Sequence, residues 1–318
     1  MDAWVSRRRM LALSAAVILA PELLSCSKSK RKSNGNSASE EDDDPFDLSN
    51  FGYDPDEREH AKTEVPRHPG EVPPKASVNA DWLPPVGHQY MGNCFVWASA
   101  YGLATFNAAR NSKTPPTSRD RQAGPDYAYI RYEMAKKIAG NTCKGGQVGS
   151  FLDWLKSNGG TPSLAAAPNY ANKKSDTATC SENWSKYDSH TIAPDARFVV
   201  DYKAIQLNGT DGLKNLRSVI AAGSPVAFGT HLYEDFKKYN GKPSPFVGGG
   251  KYLMENGKKA GHVMLIIGYD DSYGDNKGAV RIQNSWGNRW GDKGYAWVAY
   301  DTLEKLAEGT GFYAPESA

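Results

Sequence analysis

Cysteine is scarce in this chain. The four present among 318 residues are Cys26, Cys94, Cys143 and Cys180, too few and too widely spaced for a disulfide scaffold or a paired-cysteine zinc site. Each therefore needs its own explanation. An excess of charge of either sign is also lacking: 38 lysines and arginines face 36 acidic residues, which gives no electrostatic case for a nucleic-acid partner. The apolar run from Met10 to Ala20 falls short of the roughly 20 residues that cross a bilayer as a helix. No metal-ligating cluster or cofactor motif stands out, so no metal or cofactor is expected. What is present, 39% hydrophobic and 23% charged residues, suffices for a sizeable core. Function has to be sought in a site.

Arg7, Arg8 and Arg9 precede the short apolar run, the layout of an export signal. "SRRRMLA" is similar to a twin-arginine signal with methionine where phenylalanine is usual, and it is also compatible with general secretion. "LLSC", ending at Cys26, resembles a bacterial lipobox, which implies acylation of that cysteine. Residues 27 to 75 combine serine, asparagine and glycine with a basic cluster, an acidic run and repeated prolines, with little to bury. The expected organisation is a lipoprotein-type signal peptide over 1–25, a lipidated N-terminus and tether over 26–75, and a globular domain over 76–318. The expected location is that of an exported bacterial lipoprotein, facing the periplasm or on the cell surface, membrane-anchored through the lipid on Cys26. An inhibitory pro-segment is the alternative for the tether, but no helical apolar periodicity long enough to build one is present.

Beyond residue 78 the composition turns globular. "CFVWASAYGLATFNAAR" runs from Cys94 without a glycine-proline breaker until "KTPPT", placing Cys94 at a helix N-terminus. Unpaired backbone N–H groups and the positive end of the helix dipole there predict a lowered thiol pKa. "GHVMLIIGYDD" reads as a buried strand with His262 at its start, and "AVRIQNSWGNRWGDKGYAWVAY" as strand, glycine- and tryptophan-rich turn and strand, with Asn284 ending the first. A lone cysteine at a helix start is more often packing than chemistry, and a lone histidine more often a satisfied core group. Their joint occurrence with the Asn-Ser-Trp-Gly turn reverses that balance. His60, His68, His88, His190 and His231 have no such setting and are read as structural or solvated.

This combination closely resembles the papain-like cysteine peptidases over most of residues 74 to 300. "PPVGHQYMGNCFVWAS" is similar to the family's glutamine-to-cysteine turn and helix, "CKGGQVGSFLDWLKSNGG" to its Gly-Gly loop and following helix, and "NSWGNRWGDKGY" is the most specific match. The resemblance implies an α+β fold, a helical lobe and an antiparallel sheet or barrel with the cleft between them. It implies a cysteine-type peptidase in which Cys94 attacks the carbonyl carbon, His262 is acid and base, and Asn284 orients the imidazole. Gln89 would donate to the oxyanion, Trp286 would cover the His–Asn bond, and Gly145 and Gly146 would pair with a peptide substrate. Phe228 and Gly229, with Ala260 and Gly261, would lie near the pocket for the substrate's second residue, a one-residue slip in the strand changing which side chain faces it, and a monomer is expected.

The resemblance has departures. Met91 stands where the family carries a cysteine, so Cys143 lacks its usual partner, and a Cys143–Cys180 disulfide or two reduced buried thiols remain as alternatives. Four residues separate Gln89 from Cys94, one fewer than usual, so either the turn is tighter or His88 takes the expected place. A thiol acyltransferase or peptide ligase on the same fold, and a noncatalytic surface peptide-binding protein, are the competing functions.

Overall fold

The structure, a computed structural model, describes residues 52–53, 61–66, 71–136, 144–167, 198–241, 244–255 and 257–316. Cys26, Cys143 and Cys180 lie outside the described residues, and with them the lipidation site, the export signal and the Cys143–Cys180 pairing; so do His60, His68 and His190.

The strands are β1 (Thr63–Glu64), β2 (Lys75–Ser77), β3 (Lys203–Gln206), β4 (Val226–His231), β5 (Met254–Glu255), β6 (Lys258–Lys259), β7 (Gly261–Asp270), β8 (Ala279–Gln283), β9 (Tyr295–Ala299) and β10 (Ala307–Tyr313). Eight of them form one sheet in the order β1-β3-β10-β4-β7-β8-β9, with β2 also on β7, and β5 and β6 pair separately. All these pairings are antiparallel except β1 with β3. The hub is β7. Every residue of it is buried, which is why it reads as a continuous apolar run rather than an alternating one.

Helix α1 (Cys94–Val96) passes into a π-helical segment, Trp97–Ala104, and on into α2 (Thr105–Ser112). Every residue from Met91 to Phe106 is buried. The wide turns run where the helix lies against the sheet: a Cβ on Gly102 would stand 3.2 Å from the Leu265 side chain of β7, so the glycine permits a close approach. Lys113 ends α2 in the left-handed conformation, φ 50°, and its N–H closes on the carbonyls of Ala109 and Arg110. Beyond it stand α3 (Pro125–Ala135), with proline in its first turn, and α4 (Val148–Ser157). The ring of Phe95 packs edge-on against Tyr129, Tyr132 and Phe151, joining α1, α3 and α4 in one apolar cluster. Helix α5 (Gly212–Ala221) lies against β3 and β2. The expected α+β architecture is present, with helices on one side and a mostly antiparallel sheet on the other.

Residues 26–75, read from composition as a tether, contribute Gly52, Tyr53, β1 and the start of β2 to the folded unit. Thr63 and Glu64 pair with Ala204 and Ile205, and Tyr53 bridges Gly146 on one side and Gly261 on the other. Backbone pairing holds these short stretches. Composition carries little trace of such contacts, because main-chain hydrogen bonds do not depend on residue type.

Candidate active site

Cys94, His262 and Asn284 are brought together where the start of α1 meets the first turn of β7 and the end of β8. The strand register sets His262 opposite Thr230 of β4, and Asn284 follows directly on Gln283, the last residue of β8. The backbone N–H of Val263 donates to Cys94 Sγ at 3.3 Å, which puts the sulfur beside the residue after the histidine.

His262 Nε2 lies 2.8 Å from Asn284 Oδ1, an oxygen that also accepts the Ser285 N–H at 2.8 Å. That second bond fixes the tautomer. An oxygen already serving as acceptor requires a proton on Nε2, so the neutral ring carries its lone pair on Nδ1. Nδ1 has no hydrogen-bond partner among the described residues and is free to take a proton from a thiol. The Trp286 ring stacks on His262 at 4.7 Å between centroids and is itself buried, a position over the side of the His–Asn pair. Trp290 packs edge-on against Trp286 and tilted against Phe236, and donates from Nε1 to the Phe236 carbonyl.

Gln89 is buried and fixed. Its Oε1 accepts from Ser285 Oγ at 2.5 Å, its Nε2 donates to the Met91 carbonyl at 3.1 Å, and its own N–H donates to the Ser285 carbonyl at 2.8 Å. The short turn thus remains tied to the Asn-Ser-Trp-Gly loop, with one Nε2 hydrogen left unassigned. His88 bridges to Trp286 through the backbone and stacks on Tyr90; His231 pairs with Glu308 at 2.7 Å. Asn93, just before the cysteine, donates from Nδ2 to Asp126 Oδ1 at 2.9 Å, and burial raises that carboxyl to about 6.

Burial reverses the expectation of a lowered Cys94 pKa. Loss of water pushes the thiol up to about 12, while N–H groups of Val263, Gly52, Phe95 and Cys94 itself pull weakly the other way. The same cause lowers His262 to about 4, against the opposing bond to Asn284. Desolvation outweighs the dipole because the sulfur is wholly covered. In this closed form the pair is a neutral thiol and a neutral imidazole.

Gly145 lies against the backbone of Gly52 and Tyr53, and the Gly146 N–H donates to the Gly52 carbonyl at 3.0 Å. Phe228 does not face the cleft. It is buried on the opposite face of β4, around a small internal cavity also lined by Phe236, Phe246, Met264 and Val298. Strand alternation turns its neighbour Gly229 outward instead, where a Cβ would lie 2.8 Å from the Tyr53 hydroxyl oxygen. Gly261 also lies against Tyr53, with a would-be Cβ 2.7 Å from Tyr53 Cδ1. Gly52, Tyr53 and Ser285 escape the sequence reading. The only signal for the first two is an isolated aromatic next to glycine in a polar stretch.

Fold and site together define a two-lobed protein with a thiol, an imidazole and a carboxamide aligned across its cleft. The papain family cysteine protease description matches residues 133–310, more than half of the sequence, and the chain belongs to that family. The matched range begins downstream of Cys94. Among relatives, fruit bromelain of Ananas comosus is 31% identical over 160 residues, 49% of this chain and 38% of the relative. Cysteine proteinase EP-B 1 of Hordeum vulgare is 24% identical over 211 residues, 66% and 49%. The chain thus spans about half or less of the length of these curated relatives. Among solved structures, xylellain, a cysteine protease from Xylella fastidiosa, superposes with a TM-score of 0.61 at 19% identity, covering 84% of this chain and 96% of that one. Procathepsin L 3 of Tenebrio molitor superposes at 0.57 and 16% identity, covering 84% and 77%. At such identities these two likenesses show the fold.

Proposed function

We propose that this chain is a cysteine-type peptidase that hydrolyses peptide bonds through an acyl-enzyme on Cys94. The observation that carries the reading is the His262–Asn284 bond under Trp286, with the Cys94 sulfur beside Val263. His262 Nδ1 removes the thiol proton as sulfur attacks the carbonyl carbon, and the imidazolium then protonates the leaving amine. Water, deprotonated by the same ring, releases the acid. The free hydrogen on Gln89 Nε2 is a donor for the oxyanion, and Gln89 is held ready for that role by Ser285 and Met91. Such a donor contributes about 2.7–4 kcal/mol to transition-state stabilisation. Asn284 fixes the ring that does this work.

Peptides or proteins are the proposed substrates, and export with lipid attachment at Cys26 is the proposed setting. Hydrolysis of peptides by the purified chain, abolished in Cys94→Ala and by an epoxide-type thiol reagent that alkylates Cys94, is the expected outcome. A Cys94→Ala protein as active as the wild type sinks the assignment. Product masses in the presence of added amines separate hydrolysis from acyl transfer.

A further inference from the structure

A small cavity of about 20 Å³ adjoins Asn284 and is lined also by Gly87, Trp97, Leu265 and Gln283. That is room for one water molecule. Three residues around it each bring a buried polar atom with no protein partner among the described residues: Asn284 Nδ2, Gln283 Oε1 and Trp97 Nε1. Trp97 is 8% exposed, Gln283 7% and Asn284 3%, so none of the three turns to solvent instead. Burying one such group unpaired is costly. Three around one small space call for an occupant.

The far end of each amide is already committed. Gln283 Nε2 donates to the Pro84 carbonyl at 2.8 Å, which leaves Oε1 for the cavity. Asn284 Oδ1 accepts the Ser285 N–H and faces His262 Nε2, which leaves Nδ2. The indole is held from the other side: a Cβ built on Gly87 would stand 2.1 Å from Trp97 Cζ3, so the ring and the Gly87 backbone are in close contact.

The chemistry of the three atoms selects the occupant. Nδ2 and Nε1 are donors and Oε1 is an acceptor. A cation has no lone pair for the two N–H groups, a bare anion has no proton for Oε1, and an apolar guest pairs with none of them. Water accepts two hydrogen bonds and gives one, the number a buried water ordinarily makes.

From this geometry we infer that the cavity is a binding site for one structural water, and that Gln283 is a positioning residue holding Asn284 through it. The carboxamide is then fixed at both ends, by the Ser285 N–H at Oδ1 and by the water at Nδ2. Its plane cannot swing away from the His262 ring. The water site is a matter of structure alone; its effect on turnover rests on the peptidase reading.

The test uses full-length proteins confirmed as folded by near-ultraviolet dichroism. Beside wild type stand Gln283→Met, which keeps the bulk and removes the amide, and Trp97→Phe, which removes one donor and leaves Gln283 bonded to Pro84. High-resolution diffraction from wild-type crystals is expected to show one ordered water about 2.7–3.2 Å from all three atoms, and crystals of Gln283→Met to have lost it. On peptide substrates Gln283→Met should lower kcat about tenfold with KM within about twofold of wild type, and Trp97→Phe should lower kcat about threefold. A purely structural role leaves the imidazole unmoved, so the His262 Nε2–H proton resonance, assigned by its loss in His262→Gln, is followed as well. It should exchange with solvent at least about tenfold faster in Gln283→Met than in wild type. A wild-type cavity without that water, a water bonded to neither Gln283 nor Asn284, unchanged kcat of an active Gln283→Met enzyme, or unchanged proton exchange in it overturns the inference. A wild type that cleaves nothing, yet holds the water and shows the exchange difference, retires the peptidase reading and leaves the water site and the positioning role of Gln283 standing.

Discussion

At His262 and Cys94 the removal of water acts on opposite charges and so in opposite directions. The imidazole falls to about 4 and the thiol rises to about 12. Below pH 6.5 the unfolded chain takes up a proton at His262 that the native chain refuses, so the stability held above 6.5 is lost as pH falls toward 4. The full loss is roughly 3 kcal/mol. Urea midpoints measured from pH 7 to pH 4.5 should fall with acid in the wild type and fall less in His262→Gln. For Cys94 the sign is the other way: stability declines as pH rises from about 9 toward 12, and alkylation by iodoacetamide at neutral pH should be far slower than for a free cysteine. In the proposed mechanism Asn284 acts by aim rather than charge. Replacing it with alanine frees the ring and should lower kcat about 10²-fold with little change in KM, provided steady-state assays are run on folded protein. Cys94, His262 and Asn284 were legible in the sequence because each sits in a distinctive local context. The choice between Phe228 and Gly229, both named from the sequence, was not legible there, since it depends on which face of β4 meets the cleft, and a strand of six buried or nearly buried residues offers no alternation to read.

The elements that position these residues divide by how much of their support is local. β7 declared itself by ten consecutive residues that are apolar or flanked by apolar neighbours, and its burial is complete. The helix after Cys94 was equally plain, but its π-helical middle, Trp97–Ala104, was not. Its registry is set by close packing on Leu265, a contact 163 residues away in sequence. Leu103 is fully buried within that segment, and Leu103→Ala should cost about 2–5 kcal/mol in urea unfolding. The turn after Asn284 is supported differently, by aromatic rings. Trp290, buried between Phe236, Tyr239 and Trp286, should cost about 3–5 kcal/mol when cut to alanine. The same change should reduce kcat, because Trp286 loses its backing and His262 its cover.

Across the whole molecule, one buried cation ties helix α2 to the end of an interior strand of the sheet. Arg110 on α2 donates to Ser224 Oγ at 2.8 Å and to the carbonyls of Ala314 and Pro315 at 3.1 and 2.7 Å, fastening the chain just beyond β10. Since β10 pairs with both β3 and β4, this end of the chain joins β1 and β3 to the rest of the sheet. Arg110→Met should lower stability by about 2–3 kcal/mol, by the loss of charged hydrogen bonds, and should do so without changing the pH dependence of catalysis.

By itself the sequence determined the proposed site residues, the α+β class and the order of the lobes, because these rest on local signals: a helix start, apolar runs, and a turn whose glycines and tryptophans are recognisable wherever they occur. Tertiary structure alone decided the protonation of the thiol and imidazole, the face that Gly229 shows to the cleft, and the lodging of Gly52 and Tyr53 beside the nucleophile. Each of these depends on what covers a group and from which side. Coverage is a property of chain segments distant in sequence, and in a polar stretch bound through its backbone it leaves almost no mark on composition.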